Sequence, residues 1–181
     1  MLVHAHAGLG WAVGVLAPGS DRRLRACCLA AATLPDIDSL VYLAGPDAFA
    51  RWHHTFGHNV FFGLIVVAAA AWLHRGRRVV LAGALAALCF ASHLVADAYL
   101  SPYPVYAWWP FSGRALPVSP GMWLGSTVNI LLAFGAVLLV LALAVRRKVT
   151  PVEVFSPRLD RLVVAALRRR GENRSISGGG V

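Results

Sequence analysis

Residues 79–100, VVLAGALAALCFASHLVADAYL, form an almost wholly apolar run that nevertheless carries His93 and Asp97 near its end. As a helix it rises about 1.5 Å per residue, enough to cross a hydrocarbon core of about 30 Å. Spaced i and i+4, the two polar side chains project from one helical face about 6 Å apart, within reach of one metal ion or of each other. Ionisable groups inside a membrane span are costly and mark functional sites, so each calls for a partner elsewhere in the chain.

The rest of the chain agrees with a membrane setting. It is 58% hydrophobic with a mean hydropathy of +0.64, and only 14% of its residues are charged, well below a soluble domain. Apolar runs at 2–19, 26–44, 58–74, 79–100 and 122–145 follow one another with short connections. They predict an all-α membrane domain over 1–148 with about five transmembrane helices. A cleavable signal peptide is not expected, because no basic segment precedes the first run. The second run contains TLPDIDSL, and Pro35 removes a backbone donor, so that helix is expected to break there. Irregular backbone at membrane depth is tolerated only where protein or a water-filled cavity surrounds it.

The basic tail, 149–181, contains PRLDRLVVAALRRR at 157–170, in which Leu159, Leu162, Val163, Ala166 and Leu167 share one helical face. This is a C-terminal amphipathic helix suited to a membrane surface. From Gly171 onward the composition reads as disordered.

The net charge of +9 does not point to nucleic acid, because the basic residues cluster at the ends of apolar runs, where anionic lipid attracts them. Nine Lys and Arg lie at 21–25, 75–78 and 146–148, against only Arg51 and Arg114 in the connections at 45–57 and 101–121. Five spans with that alternation place the N-terminus outside and the C-terminus in the cytoplasm. Tyr103, Tyr106, Trp108 and Trp109 in the second outer loop suit the headgroup layer. Cys27, Cys28 and Cys89 lack metal-finger spacing and read as small buried hydrophobes.

Counting about 1.5 Å per residue from the basic ends, His93 and Asp97 lie ~21 and ~27 Å up, His58 ~24 Å and His6 ~20 Å. Asp36 and Asp38 come out lower, at ~15–18 Å, on a helix whose break disturbs the count. His74, beside RGRR at the other face, is expected to be a bystander, and Asp47 a turn residue. Aspartates and histidines from four segments are the ligand set of a divalent transition metal such as zinc, as one ion or a pair.

Four segments, LPDID at 34–38, HHTFGHN at 53–59, SHLVAD at 92–97 and WPFS at 109–112, occur in that order. Together they resemble the LexA-binding, inner-membrane-associated metal-dependent hydrolases of bacteria and archaea. The resemblance implies His6, Asp36, Asp38, His53, His58, His93 and Asp97 as metal ligands. It departs in the second motif, where His54 stands in place of an arginine, Thr55 of a glycine, Gly57 of a threonine and Asn59 of a serine. His54 is then an added ligand or a replacement cation. LexA binding is a property suggested for one member, and nothing in these residues carries it.

The expected function is hydrolysis of an ester or phosphoester of a lipid or lipid-linked substrate at the outer leaflet of the cytoplasmic (inner) membrane. Asp38 or a spare histidine such as His54 would act as general base. The alternatives are a metal or proton transporter, which needs polar residues continuing to the basic face, and a membrane regulator with a structural metal.

Overall fold

The computed structural model describes residues 1–76, 78–116, 123 and 125–177, and no strand occurs among them. Its α-helices are α1 (Val3–Leu16), α2 (Arg22–Thr33), α3 (Pro46–Trp52), α4 (Val60–Leu73), α5 (Val79–Leu100), α6 (Thr127–Arg147) and α7 (Pro157–Ser177). The break expected at Pro35 is present. The α2 helix gives way to a 3-10 helix over Leu34–Ala44, as the missing proline N–H and its ring demand.

Among the described residues three segments are long and apolar enough to cross a bilayer: α2 with its 3-10 extension, α5 and α6. The first and third of the five expected spans are shorter than their apolar runs. At 14 residues each, α1 and α4 reach only about 21 Å, less than the ~30 Å core. The cause in α4 is local, because Asn59 accepts from Phe62 N at 2.8 Å and caps the helix there, leaving residues 53–59 as a loop. The polar connection before it contains the short helix α3, which opens on Gly45 and Pro46. The last span begins at Thr127, and Asn129 Nδ2 donates to Leu100 O at 2.9 Å, tying the start of α6 to the end of α5.

Side-chain size is distributed as in a bundle surrounded by lipid. Ala31, Ala70, Ala86 and Cys89 fill the interior between α2, α4 and α5, while Leu64, Ile65, Leu88, Val95, Ile130 and Phe134 point outward. Small residues let the helices approach, and large ones face the apolar solvent. The closest approach is between α1 and α2, where a Cβ on Gly10 would lie 2.7 Å from Cys28 O and one on Gly14 2.7 Å from Arg25 Cα. This Gly-x-x-x-Gly spacing is visible in the sequence and its pairing is not. The α6 helix packs on α1, and α5 packs on both α2 and α4.

At the basic end a buried carboxylate joins the helices to the tail. Glu153 accepts from Arg25 Nη2 at 2.7 Å and contacts Arg25 Nε, while Arg22 donates to the Glu153 and Val154 carbonyls. Removing one partner of a buried pair leaves the other charge uncompensated, at ~3 kcal/mol or more. Glu153→Ala should therefore lower the melting temperature of the detergent-solubilised protein clearly, whereas neutralising exposed Arg146 should not. Beyond this clamp α7 continues past Gly171 to Ser177, through residues whose composition suggested disorder, and 178–181 lie outside the described residues.

Candidate metal centre

The opposite end of the bundle holds the polar groups. Gly57 brings the 53–59 loop against the α2 break so closely that a Cβ there would lie 2.0 Å from Pro35 O. Asn59 closes the loop from within, its Nδ2 donating to Thr55 O and Phe56 O. His54 has a positive φ of 66°. From above, Tyr106 N donates to His54 O and Val60 N to Ala107 O, so the aromatic loop after α5 holds the histidine loop in place.

Three imidazoles converge on one carboxylate oxygen. Asp97 Oδ2 lies 3.2 Å from His93 Nε2, 3.3 Å from His58 Nε2 and 3.4 Å from His54 Nε2. Each ring has its other nitrogen committed to an acceptor. His93 Nδ1 donates to Ala32 O at 2.7 Å, His58 Nδ1 to Asp38 Oδ2 at 3.0 Å and His54 Nδ1 to Tyr103 O at 3.2 Å. A backbone carbonyl can only accept, so His93 and His54 carry the proton on Nδ1 and aim the Nε2 lone pair at Asp97. Second partners of this kind are what orient metal-ligating histidines.

Lone pairs facing one another require a cation between them. A proton supplies part of it: burial opposes charge on loop residue His58, but the hydrogen bonds to Asp38 and Asp97 lift its pKa to about 9. Burial drives the neighbouring His54 down to about 4, which disfavours a charge on that ring. One proton does not serve Asp36, whose Oδ1 lies 3.7 Å from His93 Nε2 and whose buried Oδ2 has no hydrogen-bond partner among the described residues. Ligand atoms of Asp36, His58, His93 and Asp97 all lie within 4.8 Å of one another, and this group can hold a metal ion. Bonds of about 2.1 Å at tetrahedral angles would separate donors by ~3.4 Å, near the 3.0 Å between His58 Nε2 and His93 Nε2.

The remaining expected residues are placed around these four. Asp36 and Asp38 reach the histidines, Asp36 Oδ1 lying 3.7 Å from His93 Nε2 and Asp38 Oδ2 3.0 Å from His58 Nδ1, because the α-helical count ends at the break and the 3-10 segment takes the chain on another path. Asp38 is saturated by two imidazoles, His58 on Oδ2 and His53 on Oδ1 at 2.9 Å. His6 reaches Asp97 Oδ1 at 3.1 Å from α1 and stacks on His93, and the Met1 amino group contacts the same oxygen. His74 lies at the basic end, 3.8 Å from Asp21, away from the centre. The Ala32 and Tyr103 carbonyls, which decide the tautomers, carry no side-chain signal in the sequence.

A cavity of about 190 Å³ opens on this cluster, lined among others by Asp36, Ser39, Phe49, His53, His54 and Tyr103. A comparison with protein families supports the inner-membrane part of the resemblance noted from four short motifs, and neither its LexA binding nor its hydrolysis. Residues 1–158 match the family described as YdjM inner membrane protein. The chain belongs to that family. Membership covers the helical domain, the centre and the Glu153 clamp, and with the apolar helices it makes this a membrane protein. The family's description places it in the inner membrane and names no reaction or partner. Neither a curated protein nor a solved structure shows significant similarity to the chain.

Proposed function

We propose that the centre binds a divalent transition metal, zinc-like in its preference for imidazole and carboxylate, and hydrolyses an ester or phosphoester of a lipid or lipid-linked substrate. The observation that supports this reading most is the convergence of three Nε2 atoms on Asp97, with the buried Asp36 Oδ2 close by and without a hydrogen-bond partner among the described residues, beside a cavity. His58, His93, Asp36 and Asp97 would hold the ion, with His54 and His6 at the rim as further ligands, for a second ion if two bind. Such an ion supplies Lewis acidity toward a phosphoryl or carbonyl oxygen and toward water.

The chain's own residues would handle position and protons. His53 lines the cavity with Nδ1 held by Asp38, which leaves its Nε2 to receive a proton from water. Stacking of its ring on Phe49, with centroids 4.2 Å apart, fixes its plane. Asp38 then acts through His53 and His58 and takes no proton itself. Phe49 and Tyr103 give the cavity an apolar wall suited to an amphiphile, with Trp108 and Phe111 exposed on the loop above. The N-out, C-in orientation would open it to the outer leaflet.

The test is turnover of a panel of lipid esters and phosphoesters by the purified protein, with and without chelator, alongside metal content. His53→Gln should lower turnover at least about a hundredfold while retaining the metal, the loss typical of a missing general base. A parent protein that binds metal tightly yet cleaves no member of the panel would leave the regulator reading. Metal uptake into sealed vesicles would support transport instead.

A further inference from the structure

The α7 helix leaves the basic end with three different faces. Asp160 and Val164 are buried and Leu167 half-buried, at i, i+4 and i+7, so this line faces the protein. Its anchor is specific, with Asp160 Oδ1 accepting from Thr150 N and Oγ1, both at 2.7 Å. The neighbouring line is apolar and uncovered: Leu159 is 55% exposed, Leu162 67% and Val163 38%, and Phe155 just before the helix is 80% exposed. At about 100° per residue, exposed Arg161 and Arg168 fall on a third line away from both, and exposed Arg158, four residues before Leu162, borders the apolar strip. The Glu153 clamp holds the root of this helix against α1 and α2, next to exposed Arg146, Arg147 and Lys148 at the end of α6.

We propose that α7 is a surface helix that docks on the same membrane the protein spans, by binding anionic phospholipid. Leu159, Leu162, Val163 and Phe155 enter the acyl boundary, and Arg158, Arg161 and Arg168 pair with lipid phosphates. Charge selects this partner over a neutral surface, because the exposed charged side chains described on this helix, Arg158, Arg161 and Arg168, are all cations, at the end of the molecule where basic residues collect. The two signals together, a short apolar face and several arginines, are what stable interfacial binding needs. This inference does not depend on the metal or on hydrolysis.

The full chain in nanodiscs of phosphatidylcholine alone, or with 30% phosphatidylglycerol, would be exposed to trypsin and cleavage followed at Arg161 and Arg168. Each arginine near an anionic surface contributes roughly fivefold in binding, so cleavage should slow at least about tenfold with phosphatidylglycerol and recover in high salt. Leu159→Glu with Leu162→Glu should abolish the slowing. Arg158→Gln with Arg168→Gln, which keeps the Arg161 cleavage site and every apolar contact, should reduce it severalfold. Equal rates in the two lipids would overturn the proposal, and so would protection that appears with added RNA but not with phosphatidylglycerol.

Discussion

Replacing Asp97 by alanine should empty the centre and unfold its surroundings at once. Its carboxylate is the meeting point of His6, His54, His58 and His93, and truncation leaves those imidazoles buried with nothing to face. Losing the partner of buried charged or hydrogen-bonding groups costs about 3–5 kcal/mol. Metal content measured per purified chain should fall below roughly a tenth of the parent's, since buried imidazoles and carboxylates bind as a set. Asp97→Asn should separate the two losses. An amide keeps the volume and its NH2 can donate to the Nε2 lone pairs, so the metal should still be lost while most of the melting temperature survives. Asp36→Asn goes further in the same direction, because its Oδ2 is buried without a partner among the described residues. In metal-free protein that change should be neutral or stabilising, and in metal-loaded protein it should weaken binding. A metal-free parent as stable as the loaded one, with Asp36→Asn destabilising both, would sink the metal reading.

The second large effect is expected at Gly57→Ala. The added carbon would meet the Pro35 carbonyl oxygen at 2.0 Å, against backbone that cannot rotate away. Loop 53–59 would have to lift off the α2 break, carrying His58 away from Asp38, Asp97 and His93. Overpacking a tight core contact costs about 1–3 kcal/mol, and here the same shift dismantles the centre. Metal content and melting temperature should fall together. Gly83→Ala is the control: its nearest neighbour would be Ala71 Cβ at 3.6 Å, an ordinary contact, and it should change neither.

Much of this protein follows from the chain alone, because local spacing encodes what one helix does. Apolar length against a bilayer determines the helical class, Pro35 the break, and the i, i+4 placement of His93 and Asp97 their common face. Grouped by depth, His6, His58, His93 and Asp97 do meet, since the ruler holds along α1 and α5 and His58 lies only two residues before α4. What those rulers miss lies where the backbone leaves the helix. Asp36 and Asp38 rise to the histidines on a 3-10 segment, and α1 and α4 stop short of the full bilayer thickness. Tertiary structure alone decides the roles of residues with the same side chain. Asp97 gathers Nε2 atoms while Asp38 accepts from two Nδ1 atoms, because the carbonyls of Ala32 and Tyr103 and the close pass of Gly57 under Pro35 set which nitrogen faces which oxygen. Those partners come from distant helices and from backbone atoms, which no residue spacing specifies.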